Sequence, residues 1–315
     1  MGLGAPILNA PMGGVAGGGL AAAVSAAGGL GMVGVGSAGS RGLLEEEVAR
    51  PRRTGLPFGV GLLHWALERE PSLLDAALAA APTLLSVSFG DGWAWVPRVR
   101  DAGVVSATQV SDVVGARRAE DAGVEVLVAR GAEGGGHGEA AVGTLPLLEG
   151  VLDAVSVPVL AAGGISSPRG LAAVPAAGAA GAWIGTAFAA CHEALTPAAR
   201  RRALVAAMET DTVTTRVFDV ALGYGWPPRF AERVLRNRFW EEWADREDVL
   251  ATDEQGRATL AEAVAAGDYR VAHVDAGQGV GLVTEERPAA DVVQWLCAGA
   301  SELLGSWSPP GGGAG

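Results

Sequence analysis

The chain has 315 residues, 49 % of them apolar, with 48 glycines, no lysine and a net charge of −12. It is long enough for one large domain with a smaller companion and too apolar for general disorder. Its acidity argues against nucleic acid or an anionic membrane surface as a partner.

Residues 1–40 and 170–191 carry no charged side chain. Both stretches match or exceed the roughly 20 residues of a membrane-spanning helix. Glycine pairs and proline break them, however, and no basic segment precedes the first. Parallel strands buried on both faces account for such runs without a membrane. In chain order, short apolar runs predict strands at residues 6–10, 31–34, 57–62, 83–89, 104–108, 124–129, 157–161 and 181–184. Their starts recur every 20 to 33 residues, the length that a strand and its crossover helix need. The segments between them predict helices at 19–27, 43–49, 72–80, 93–100, 112–121, 145–155 and 168–176. Ser72, Ser111 and Ser167 mark starts, and Gly28, Gly103, Gly123 and Gly178 mark stops. Eight such units predict an α/β fold, a (β/α)8 TIM barrel over residues 1–190.

After residue 190 the pattern changes. Arg- and Glu-rich segments at 196–209 and 228–246 predict helices, followed by others at 258–266 and 289–304, with a glycine loop at 276–281. The expectation is a small helical region at 191–280, inserted after strand eight and covering the pocket. A C-terminal helix at 281–305 then returns to the barrel, and residues 306–315 have the composition of a disordered tail. Cys191 and Cys297 stand far apart without a CxxC spacing. That argues against zinc and fits inert thiols in a reducing cytoplasm.

Motifs that follow predicted strands fall on the βα loops, the face where barrels place their chemistry. Ala162-Gly163-Gly164-Ile165 and Ala182-Trp183-Ile184-Gly185-Thr186 end strands seven and eight. Glycine there lets backbone amides converge on an anion such as a phosphate, and Thr186 adds a hydroxyl. Tight turns alone are the plainer explanation. Arg130-Gly131-Ala132-Glu133-Gly134-Gly135-Gly136-His137-Gly138 follows strand six. Its glycines suit a loop lying flat on a planar ring, and His137 can act as acid or base near neutral pH. Ala10-Pro11-Met12-Gly13-Gly14 follows strand one and offers backbone for a flat cofactor, or simply a turn into a helix. His64, beside Trp65, is read as pocket-lining or packing; His192 and His273 are read as surface or packing residues. No HExxH and no GxSxG occur, which disfavours metal catalysis and an α/β-hydrolase. The 34–39 segment imitates a dinucleotide fingerprint but lacks its acidic partner.

Taken together, the Ala10-Pro11-Met12, Glu133–His137, Ala162–Ile165 and Gly185-Thr186 motifs resemble the nitronate monooxygenase family, whose superfamily also contains FMN-dependent enoyl-acyl-carrier-protein reductases. The segments 211–216, Arg236-Asn237 and Ala276-Gly277-Gln278 extend the resemblance to about residue 304. It implies FMN as cofactor, contacted by Gly163, Gly164, Trp183, Ile184, Gly185, Thr186 and Gly135, with Ala10, Met12 and Gly13 beside it. It implies His137 as the catalytic histidine, deprotonating a neutral nitroalkane or positioning the nitronate, with dioxygen as co-substrate. Three positions depart from the family: Gly61 replaces an Asn, Arg130 a Gln and Trp183 a Gln. Gly61 and Arg130 still occupy cofactor-binding positions. Arg130 is read either as a charge facing reduced flavin or an anionic substrate, or as half of a surface ion pair. The alternative activity is enoyl-thioester reduction with NAD(P)H. A flavin-free phosphate-binding lyase or isomerase is a third reading, without Schiff-base chemistry because lysine is absent. A non-enzymatic flavin-binding protein is the fourth. A homodimer is among the expected assemblies.

Overall fold

The computed structural model describes residues 2–37, 39–139 and 141–306. The strands run in chain order as β1 (Ile7–Asn9), β2 (Gly31–Gly34), β3 (Phe58–Leu63), β4 (Leu84–Ser88), β5 (Val105–Val110), β6 (Val126–Arg130), β7 (Gly136–His137), β8 (Val159–Ala162) and β9 (Gly181–Ile184). All except β7 join one parallel sheet in the order β1-β9-β8-β6-β5-β4-β3-β2. A bridge between Leu8 and Leu30 brings its two ends together. Buried Asn9 completes this seam: Oδ1 accepts from the Met32 N–H at 2.8 Å and Nδ2 donates to the Met32 carbonyl at 2.9 Å. One side-chain amide thereby supplies the donor and acceptor that a ladder pair would. The fold is an α/β TIM barrel, and all eight predicted barrel strands are present.

Alternate side chains of each strand serve two cores, as a period of two requires. Leu8, Met32, Leu84, Val128, Leu160 and Trp183 fill the barrel, while Ile7, Val60, Leu85, Leu127, Ala161 and Ile184 pack outward. Ser167 caps the Pro168–Ala176 helix by accepting from the Gly170 N–H. Asp112, one residue later than the start signal read at Ser111, caps the Val113–Asp121 helix. The second helix runs over Arg41–Thr54, longer than the predicted 43–49, with Pro51 inside it and Gly55 closing it.

The region after the barrel is not purely helical. It contains β10 (Thr212–Thr215) and β11 (Glu232–Leu235), which form an antiparallel sheet with β7 in the order β10-β11-β7. The helix expected over 228–246 is therefore corrected to a strand followed by a short helix, Arg238–Trp243, capped by Asn237. Its Arg and Glu content suggested a helix; pairing with β10 and with the distant β7 decides otherwise, as tertiary context overrides propensity. Val217, Phe218, Val234, Phe239, Trp243 and Leu260 give this region its own core. The Ala289–Ser306 helix returns to the barrel against the Pro168–Ala176 helix, with Gly299 seated on Pro168. The expected tail lies, past Ser306, outside the described residues. Among the described residues no helix is long and apolar enough to cross a membrane.

Candidate active site

A cavity of about 430 Å³ opens at the C-terminal ends of the barrel strands, beneath the β10-β11-β7 sheet. That volume falls in the range of small-molecule sites. Ala10, Met12, Gly13, Arg130, Gly135, His137, Gly163, Gly164, Trp183, Gly185 and Thr186 line it. Gly61 and Ile184 do not. Ile184 is buried in the outer core. Gly61 lies under Pro11, and a Cβ there would overlap the proline ring. The glycine thus seats the Ala10–Met12 turn and takes no place on the cavity wall.

The loops after β8 and β9 form one wall of the cavity. Gly163 and Gly164 have φ of +112° and +71°, backbone that glycine adopts without strain. The amides of Gly164 and Gly185 have no acceptor among the described residues. Thr186 Oγ1 accepts from the Gly277 N–H at 3.0 Å, which leaves its own O–H as a donor. Backbone amides and one hydroxyl, with no side chain in the way, suit a phosphate group.

The histidine loop is built around an arginine. Arg130 is 8 % exposed. Its Nη2 lies 3.0 Å from each of the carbonyls of Gly134, Gly135 and Gly136. Gly138 lies against the guanidinium, where a Cβ would overlap it. At least part of this loop therefore wraps an internal planar group. The surface ion pair is excluded, and the three carbonyls take up Nη2, while Arg130 still lines the cavity. Burial, and secondarily the charge of Arg233, lower the Arg130 pKa to about 10; it stays cationic at neutral pH.

What the collar presents is His137. Its Nε2 stands 2.9 Å from Oδ2 and 3.1 Å from Oδ1 of Asp219. A carboxylate accepts, so this contact selects the tautomer with the proton on Nε2, which leaves the lone pair of a neutral imidazole on Nδ1. Trp226 stacks on the imidazole with centroids 3.6 Å apart and planes 7° from parallel. Trp226 Nε1 donates to Ser37 Oγ at 3.0 Å, tying the cover to the loop after β2.

More charge gathers beside this pair. Glu232, Asp275, Arg200 and His273 also line the cavity. Arg200 pairs with Asp275 at 2.7 Å. Burial pushes the Asp275 carboxyl up, but Arg200, His273 and His137 outweigh it and hold the acid below its usual range. Burial lowers the His273 pKa, against the opposing charge of Asp275. Burial together with Asp275 and Asp219 raises Glu232 well above the carboxylate range. Ligand-type atoms of His137, Asp219 and Glu232 lie within 4.8 Å of one another; a hydrogen-bonded pair beside a neutral acid accounts for that grouping.

Reading the sequence finds His137 but not these neighbours. Asp219 stands 82 positions from His137, beyond any local spacing. His273, expected at the surface or in packing, packs against Phe218 and also lines the cavity. His192 is exposed, as expected. His64 sits under Gly90 and Gly92 and does not line the cavity.

Residues 72–299 match the family model described as nitronate monooxygenase. A nitronate monooxygenase of Neurospora crassa is 31 % identical over 95 % of this chain and 89 % of its own. The nitroalkane oxidase structure from Streptomyces ansochromogenes is 32 % identical, with a TM-score of 0.82 over 98 % of this chain and 99 % of that one. FabK from Thermotoga maritima is 29 % identical, with a TM-score of 0.83 over 96 % and 94 %.

Proposed function

We infer that this chain, which belongs to the nitronate monooxygenase family, is an FMN-dependent oxidoreductase that oxidises alkyl nitronates, and the nitroalkanes that give rise to them, with dioxygen. The observation that carries this reading is the meeting of the His137–Asp219 pair and the Gly163–Gly164 cradle in one cavity. Gly164, Gly185 and Thr186 would hold the FMN phosphate. Once bound, the flavin supplies the electron transfer from substrate to dioxygen. The chain itself orients the substrate, excludes water and moves one proton. Nδ1 of His137 takes the proton from the carbon bearing the nitro group, and the Asp219 carboxylate stabilises the imidazolium that forms. The Trp226 stack keeps the ring in one plane while this happens.

In this reading residues 1–190 are the FMN barrel, 191–280 its cover and 281–305 the returning segment. Cys191 and Cys297, both free, suit a cytoplasmic protein. Likeness to FabK favours a second reading, an enoyl-thioester reductase using NAD(P)H with His137 as proton donor. Reconstitution with FMN and anaerobic mixing with ethyl nitronate or NADPH separates the two. Bleaching of the flavin by the nitronate is expected. Bleaching by NADPH alone favours the second reading, and failure to take up FMN sinks both.

A further inference from the structure

Glu232 is the register partner of His137 across the β11–β7 ladder. The residue is 2 % exposed, yet it lines the cavity. Its Oε1 is buried with no hydrogen-bond partner. Neither neighbouring arginine bonds it: Arg233 donates to the Ala132 carbonyl and to Thr212 Oγ1, and Arg200 to Asp275. Leaving a carboxyl group buried and unpaired is costly. The cost is offset when something entering the cavity meets it.

We propose that Glu232 seats the substrate: its carboxylic O–H donates to an oxygen of the nitro or nitronate group and holds the adjacent carbon against His137.

The cavity offers no equivalent acid among the described residues. Asp219 is bonded to His137, and Asp275 is paired with Arg200. The titratable and charged groups facing Glu232 are His137 on β7, Asp219 after β10, Arg200 on the Ala198–Ala206 helix, His273 and Asp275 ahead of Ala276, and Tyr224. Their balance, with burial, favours the protonated acid. In that form Glu232 donates a hydrogen bond, whereas an ionised carboxylate there would repel an anionic nitronate. A neutral acid so placed serves either a nitro oxygen or the carbonyl of a thioester, and the role rests on the reading that His137 acts on the bound substrate.

The test compares FMN-loaded wild type, Glu232→Gln and Glu232→Leu with ethyl nitronate across pH. Gln keeps a neutral donor, so its KM should stay within about twofold of wild type, whereas Leu should raise KM about tenfold or more, with a smaller change in kcat. In the wild type KM should climb with pH as the acid ionises, and in Glu232→Gln that climb should vanish. An infrared difference spectrum without substrate should show a protonated carboxylic acid in the wild type that Gln removes. The proposal is overturned if Gln and Leu give equal KM values, or if wild type and Gln share one pH profile and no acid band is lost. Should the Leu variant not take up FMN, the Gln profile and the infrared band decide. His137→Ala is measured alongside: if it reduces flavin with nitroethane as fast as wild type, the base reading fails, whatever Glu232 does to KM.

Discussion

His137 Nε2 lies 2.9 Å from Asp219 Oδ2, and the imidazole is held from its face by Trp226 at 3.6 Å. One contact fixes the tautomer and the other fixes the plane. Asp219→Asn preserves shape but removes the charge that stabilises the imidazolium, and its amide can impose the wrong tautomer. Turnover on nitroethane should fall on the order of 10²–10⁴-fold, while the FMN absorbance spectrum and content stay as in wild type. Steady-state kinetics with flavin quantitation checks this; an active Asp219→Asn would remove the carboxylate from the mechanism.

Arg130 bonds three carbonyls of its own loop, so its loss should be felt first in stability. Arg130→Met leaves those carbonyls without their donor and should cost about 2–4 kcal/mol. Urea unfolding of the FMN-free protein measures it. A stability change below about 0.5 kcal/mol, within the scatter of ordinary surface substitutions, would mean that the collar is not what holds the loop.

Restoring the family residue at Gly61 should do harm. Gly61→Asn puts a Cβ into Pro11, overpacking of a kind that costs about 1–3 kcal/mol. The displaced Ala10–Met12 turn should also weaken FMN binding. Fluorescence titration with FMN checks this, and tighter binding would show that the asparagine reaches the cofactor after all.

How much of this could be read from residues alone differs between barrel and cover. The barrel was legible because its strands are local apolar runs with a steady spacing, from Ile7 to Ile184. The glycine cradle was legible because one residue type carries it. His137 was legible by its place after a strand. The β10-β11-β7 sheet was not, because Glu232–Leu235 becomes a strand only through Thr212–Thr215 and His137. Arg130 was only partly legible for a similar reason: its place on the cavity wall could be read, but nothing in its position reveals that Gly134–Gly138 folds round it. Asp219, Glu232 and His273 meet His137 only in three dimensions.

Glu232 also predicts a pH dependence of folding. Its folded pKa is raised above the ordinary 4.5, so the folded state binds this proton more tightly than the unfolded one. Between those two values stability should fall as pH rises. The contribution is fullest below about pH 4.5 and lost as pH climbs through the raised value. Glu232→Gln should therefore stabilise the protein at and above neutral pH, with the gain shrinking toward pH 4.5. Thermal unfolding of both proteins at several pH values checks the sign; a gain that grows on acidification would contradict it.

The central claim is that His137 removes a proton from the substrate before electrons move to the flavin. Anaerobic stopped-flow reduction of bound FMN by nitroethane and by preformed ethyl nitronate, in wild type and His137→Ala, tests it most directly. The variant should lose flavin reduction by nitroethane, on the order of 10²-fold or more, while keeping most of its rate with ethyl nitronate, whose proton is already gone. Equal rates for wild type and variant with nitroethane would contradict the account.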